Sequence, residues 1–200
     1  MLAVSHVMTT RLSGFDKMKP KQNYKPGGMD NCQTPPYAVT PLLPYLKGKT
    51  VWEPACGDGN LSYGMRLHGI FVYESDISTG YDFLTCPHGI YDAIVTNPPY
   101  SRKYEFIERC YELRMSWALL MPVETIGAAR AQIQFERYGI EIMFLRPRIN
   151  FKMPQKGWQA SGSQFPVAWF CWNLLPEKIM YFDFKNCQEF INWQKQVKSM

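Results

Sequence analysis

Short apolar runs recur along the chain at residues 50–53, 70–74, 91–96, 117–121 and 141–145, separated by more polar segments. Runs of this length and composition suit strands buried on both faces. Between several of them the apolar positions fall at helical spacing. Lys103–Leu113 places Phe106, Ile107, Cys110 and Leu113 on one face. Residues 61–68 read as a helix stopped by Gly69, residues 124–138 as another, and residues 36–46 as a short one opened by Pro35 and Pro36. Residues 81–84 form a brief segment after a glycine-containing link, and residues 165–174 a long final strand. Strands alternating with helices predict an α/β fold with a mostly parallel sheet and helices on both faces.

The pattern also divides the chain. Residues 1–30 are polar, basic and rich in Gly and Pro, and predict a flexible N-terminal arm. Residues 31–176 carry the regular pattern of one domain. Residues 177–200 read as a C-terminal appendage, with a short helix at 187–197 packing through Phe190, Ile191 and Trp193.

Composition narrows the class. Two hundred residues suffice for one domain with a sizeable core, and 15% aromatic residues favour a globular chain. No stretch approaches the ~20 apolar residues of a membrane span, and the first residues lack the apolar core of an export signal. The six cysteines form no Cys-x-x-Cys pair, which predicts reduced packing thiols in a cytoplasmic protein and no metal site. The net charge of +5 is uneven. Residues 1–100 carry 8 Lys/Arg against 8 Asp/Glu, whereas residues 101–200 carry 14 against 9. Residues 142–176 contain no acid but include Arg146, Arg148, Lys152 and Lys156. That stretch reads either as a solvated basic face or as a phosphate-binding surface.

Asn97, Pro98, Pro99 and Tyr100 directly follow the apolar run ending at Thr96. Two prolines at a strand end can neither donate to a ladder nor continue a helix, so the chain leaves the sheet in a rigid corner. The corner holds a side-chain amide, a bare backbone carbonyl and a ring close together, a combination suited to gripping a planar amine. Chance would produce this tetrapeptide in such a chain about once in a thousand. Three more features follow strand ends, where open α/β sheets bind ligands. Glu53, Pro54, Ala55, Cys56, Gly57, Asp58 and Gly59 form a turn whose glycines admit a ligand close to the backbone. Asp76 ends the next strand, where a carboxylate can accept both hydroxyls of a ribose, with Ile77 beside it. Asp82 and Phe83 add a carboxylate for an exocyclic amine and a ring for a purine face.

Together these motifs resemble the class I S-adenosylmethionine-dependent N6-adenine DNA methyltransferases, in the motif order called gamma. The likeness covers residues 32–123. Thr34, Pro35 and Pro36 resemble the family's segment near the methionine end of the cofactor, and Glu53 to Gly59 its cofactor loop. Asp76 and Ile77 resemble its ribose and adenine contacts, Asp82 and Phe83 its adenine clamp, and Asn97 to Tyr100 its catalytic tetrapeptide. The resemblance implies a Rossmann-like methyltransferase fold with an antiparallel final strand, and S-adenosylmethionine as cofactor. It further implies a DNA substrate, with RNA as an alternative polymer. A monomer or weak homodimer is expected, acting in the cytoplasm of a bacterium or of a virus-infected host, in restriction-modification or a related role. In that chemistry Asn97 and the Pro98 carbonyl accept the two N6–H groups while Tyr100 stacks on the base. Arg102, Lys103, Arg146, Arg148, Phe151, Lys152, Lys156 and Trp158 are the candidate nucleic-acid contacts. No strong general base is needed, and His68 and His88 read as structural or exposed.

Two departures from the family stand out. The link from Asp76 to Asp82 is too short for the helix many members carry there, and no large target-recognition domain follows the final strand. A protein glutamine methyltransferase, which also handles a planar NH₂, and a non-catalytic partner subunit that keeps the fold are the remaining readings.

Overall fold

The computed structural model describes residues 30–153, 157–158 and 165–199. The expected N-terminal arm lies outside them except for Asp30, as does Lys156, and only the backbone of Trp158 is described. In chain order, a 3₁₀ helix (Pro36–Leu42) runs into α1 (Leu43–Leu46), followed by β1 (Thr50–Glu53), α2 (Asn60–Arg66), β2 (Phe71–Glu74) and β3 (Ala93–Thr96). Then come α3 (Lys103–Leu113), β4 (Ser116–Pro122), α4 (Ala129–Tyr138) and β5 (Glu141–Arg146). The pairs β6 (Lys152–Met153) and β7 (Gly157–Trp158), then β8 (Val167–Trp172), β9 (Ile179–Asp183) and α5 (Gln188–Lys198), complete the described chain.

Seven strands form one sheet in the order β2-β1-β3-β4-β8-β5-β9. The first four are mutually parallel, β8 runs antiparallel to both β4 and β5, and β9 is parallel to β5. The period of two within each apolar run explains the layers. Along β4, Trp117, Leu119 and Met121 point into one core while Ala118 and Leu120 point into the other. Along β8, Trp169 and Cys171 alternate with Ala168 and Phe170 in the same way. One face is covered by α2, α5 and the Pro36–Leu42 helix, and the other by α3 and α4. The expected α/β architecture, with its antiparallel strand, is present.

Several boundaries differ from the sequence-based expectation. The helix foreseen at 36–46 begins as 3₁₀, with Pro41 inside it lacking an N–H for the helical ladder. The helix foreseen at 124–138 is broken at Ala128, whose extended backbone (φ −80°, ψ 125°) separates a 3₁₀ turn at Val123–Gly127 from α4. Residues 81–84 form a turn in which Leu84 N–H donates to Asp82 Oδ1. Residues 177–200, expected as an appendage, supply β9 to the sheet and α5 to the core.

That C-terminal contribution packs against the Pro36–Leu42 helix. Tyr37 packs with ring centroids 5.1, 5.0 and 4.9 Å from Phe184, Phe190 and Trp193. Its hydroxyl accepts a hydrogen bond from Asn150 N–H at 3.1 Å. Burial of rings such as these is worth about 1.5–3 kcal/mol each, and it anchors the helix that follows Thr34 and Pro35. Gly64 in α2 permits the same helix to approach: a Cβ there would lie 2.3 Å from the Pro36 carbonyl oxygen. Strand order reverses between β1 and β3, with β2 on one side and β3 on the other. Such a switch point opens a crevice beyond the strand ends.

Candidate active site

The chain leaves β1 through a turn with two left-handed glycines, Gly57 (φ 52°) and Gly59 (φ 76°). Non-glycine residues rarely adopt this conformation, so the Gly-Asp-Gly sequence is a backbone requirement. Two long-range acceptors hold the turn: Gly57 N–H donates to Asp76 Oδ2 at 3.0 Å, and Asp58 N–H to Gln33 Oε1 at 2.9 Å. Asp76 also caps the short 3₁₀ turn Ile77–Thr79, its Oδ1 accepting from Ser78 N–H (2.8 Å) and Ser78 Oγ (2.6 Å). A carboxylate fixed on both sides is preorganised, and its two oxygens offer about four acceptor sites in all.

Glu53, at the end of β1, is 2% exposed and accepts from Ser62 Oγ. Burial pushes its carboxyl up to about 8; the Ser62 hydrogen bond opposes the shift and the nearby Glu74 carboxylate adds to it. The Cys56 thiol is likewise pushed up to about 12 by burial and by Glu53, Asp76 and Glu74. A thiol so protonated is a poor nucleophile.

The neighbouring wall comes from the turn after Asp76. Asp82 receives Leu84 N–H at 3.0 Å on Oδ1, while its Oδ2 lies 3.6 Å from Arg102 Nη1. Phe83 is buried between Trp52 (5.2 Å) and Phe106 (4.7 Å), an apolar floor for this side.

The diproline corner follows β3. Asn97 is half-buried, and its side-chain Oδ1 is fully buried with no hydrogen-bond partner among the described residues. Buried acceptors are nearly always satisfied, so an orphan of this kind calls for an explanation. Pro98 is buried. The ring of Tyr100 packs edge-on against Phe165 at 5.8 Å and its buried hydroxyl also finds no partner, so burial raises the phenol far above its ordinary value. Ser101 is tied to Asp30, which accepts from both its N–H (3.0 Å) and its Oγ (2.6 Å).

These walls enclose one cavity of about 580 Å³. It gathers, from the predicted set, Thr34, Glu53, Pro54, Ala55 and Gly57; then Asp76, Ile77, Asp82 and Phe83; then Asn97, Pro99 and Arg102. Pro35, Gly59, Pro98 and Tyr100 stand behind the walls. Apart from Arg102, the described members of the basic set do not line it. Lys103 reaches the Tyr100 carbonyl (3.5 Å) and lies over the Tyr104 ring at 4.7 Å. Arg146 pairs with Asp183 at 2.9 Å across β5 and β9, and Lys152 reaches Asp58 at 3.6 Å. Arg148 does not line the cavity. Phe151, a candidate nucleic-acid contact, is 4% exposed and belongs to the core.

Sequence reasoning passed over Asp30, Asn31, Cys32 and Gln33, which border the cavity from the N-terminal side. It also missed Ser78, Tyr81 and Phe106. The only signal for the first group was adjacency to Thr34; for Phe106 it was its place two turns beyond the corner. Among the described residues no group of His, Cys, Asp or Glu could hold a metal ion, and no helix is long and apolar enough to cross a membrane.

No protein-family model matches the chain, and no curated protein sequence matches it. Solved structures do. A Listeria monocytogenes protein described as a class I S-adenosylmethionine-dependent methyltransferase superposes with a TM-score of 0.56 at 14% identity, over 89% of this chain and 73% of its own. The methyltransferase subunit of a type I restriction-modification system from Streptococcus thermophilus gives a TM-score of 0.51 at 15% identity, over 88% of this chain and 54% of its own. The chain therefore has the class I methyltransferase fold, and it spans about half the length of the second of these proteins.

Proposed function

We propose that this chain is an S-adenosylmethionine-dependent methyltransferase that modifies the N6 amine of adenine in DNA. The observation that carries the reading is Asn97, which lines the cavity together with the glycine turn and Asp76 and whose side-chain oxygen, closed off from that space as it stands, has no donor among the described residues. An exocyclic amine supplies that donor once the side chain turns into the cavity.

The residues present fit the cofactor. The glycine turn lines the cavity, Asp76 keeps about one of its four acceptor sites for a ribose hydroxyl, and Asp82 sits beside the apolar Phe83–Phe106 floor suited to a purine. Thr34 borders the same space. When bound, S-adenosylmethionine supplies a sulfonium methyl activated toward a nucleophile, so the hard chemistry belongs to the cofactor. The protein's part is positioning. Asn97 Oδ1 accepts one N6–H; Pro98, buried and not among the residues lining the cavity, offers its carbonyl to the other only when the corner shifts on binding the base. Holding both draws the nitrogen from the plane of the ring and frees its lone pair. Tyr100 meets the base only by turning from Phe165; where it stands, it braces the corner. In a duplex the target base has to be flipped out to reach the site. A nucleic-acid substrate is favoured over a protein one by the net charge of +5, all of it in residues 101–200, and DNA is taken as that polymer from the fold shared with the restriction-modification subunit.

The test is direct. The protein is incubated with methyl-labelled S-adenosylmethionine and, separately, unmethylated DNA, RNA and a protein extract. N6-methyladenine in the DNA digest is the expected result. Label confined to RNA or to glutamine side chains would overturn the assignment of substrate.

A further inference from the structure

The four residues Asp30 to Gln33 lie along the cavity and are fastened at both ends to different halves of it. At one end the Asp30 carboxylate takes both the N–H and the hydroxyl of Ser101, at 3.0 and 2.6 Å. Ser101 lies in the 3₁₀ turn Tyr100–Arg102 that opens α3, and Pro99, which precedes that turn, makes no side-chain cap. Asp30 thus supplies from 71 residues away the cap that the diproline corner cannot supply itself. At the other end Gln33 Oε1 receives Asp58 N–H from the glycine turn at 2.9 Å. The Gln33 backbone also pairs with Lys152 in both directions at 3.0 Å, and Lys152 Nζ reaches Asp58 at 3.6 Å. Asn31 and Cys32, between the fastenings, border the cavity.

We propose that this strap sets the methyl-accepting corner in register with the cofactor turn, with Asp30 a positioning residue that acts through Ser101. The inference rests on the function proposed above. A strap this short couples its anchors: at no more than about 3.3–3.6 Å per residue, four residues set an upper limit of about 14 Å on how far the two walls can part along it. In-line transfer tolerates little misplacement, and an error of about 1 Å can cost a hundredfold in rate.

The test uses the full chain. Asp30→Ala is expected to lower kcat for DNA methylation tenfold or more, with the Kd for S-adenosylmethionine changed by less than twofold. It should also speed hydrogen exchange of the Ser101 amide at least tenfold. Asp30→Asn, which keeps one acceptor oxygen, should restore part of both. Because Asp30 acts through Ser101, the Asp30→Ala, Ser101→Ala double variant should be no slower than Asp30→Ala alone. Gln33→Ala should instead weaken cofactor binding severalfold. An unchanged kcat in Asp30→Ala, multiplying losses in the double variant, or an unmoved Ser101 amide would each overturn the proposal. A wild-type protein that methylates no nucleic acid, yet shows the exchange and cofactor-binding responses, would sink the function while leaving the strap in place.

Discussion

Replacing Asn97 with alanine separates a catalytic role from a structural one, because the structure predicts opposite signs for stability and activity. The Asn97 Oδ1 atom is buried without a donor among the described residues, and an unsatisfied buried acceptor costs about 1–3 kcal/mol. Alanine removes that cost. Against it stands the lost contact of a half-buried amide, about 1 kcal/mol at the usual ~25 cal/mol per Å². The folded state should therefore be unchanged or more stable by up to about 2 kcal/mol. In a chain of this size each kcal/mol moves Tm by roughly 2–4 °C. Activity should move the other way. Losing one preorganised group at a reacting centre typically costs about a hundred- to a thousandfold in kcat. Urea unfolding, cofactor titration and single-turnover methylation on the same preparation give the three quantities. Unfolding free energy lower by more than about 1 kcal/mol, with methylation falling only as the folded fraction falls, would show that Asn97 serves the fold, and the argument from its orphaned oxygen would fail.

Two further perturbations probe the surroundings. Glu53 has a folded-state pKa of about 8, above the 4.5 of an ordinary glutamate; its protonated form contributes stability fully below about pH 4.5 and loses it as pH rises through 8. Glu53→Gln should flatten that decline, which is at most about 1.4 kcal/mol per pH unit, and gain on wild type between pH 5 and 8. Parallel urea midpoints over this range would place the Glu53 charge elsewhere. Gly64→Ala puts a Cβ 2.3 Å from the Pro36 carbonyl oxygen. Since backbone must shift, a loss of about 1–3 kcal/mol is expected, together with weaker cofactor binding through Thr34; an unaltered urea midpoint would contradict the close approach.

What could be read from the sequence was what local pattern and covalent geometry dictate. The period-two strands, the helix Lys103–Leu113, the glycine turn and the diproline corner all depend on neighbours in the chain, and they appear where expected. The misses at the sheet edge and around the site share one cause: each depends on a partner distant in sequence. Strand β9 alternates half-buried and exposed residues, with Tyr181 73% exposed. Its run Ile179–Phe182 is apolar yet partly faces out, and its place at the sheet edge becomes visible only through its pairing with β5. Once β9 is in place, Asp183 meets Arg146, and a residue that looked like a phosphate contact is an ion-pair partner. Tyr100 looked like a stacking ring until Phe165, 65 positions on, claimed its edge. Asp30 looked like part of a loose arm until Ser101 supplied two donors.

The same distinction orders the site itself. The wall proposed to hold the methyl donor, the glycine turn with Asp76, is tied by backbone hydrogen bonds spanning 19 and 25 residues, with the exposed Asp58–Lys152 pair at 3.6 Å reaching further, and reads as a motif. The acceptor half depends on contacts spanning 65 and 71 residues, from Phe165 behind the corner and Asp30 beside it. Long loops cost entropy to close, so the acceptor corner should be the later to order and the easier to disturb. Ligand-facing elements commonly come from the less stable part of a fold. Amide exchange across the chain therefore ought to rank Gly57 as better protected than Ser101, with the gap closing when both strap anchors are intact and nucleic acid is bound. A Ser101 amide protected as strongly as the centre of β4 in the free protein would reverse that order and make the corner part of the rigid core.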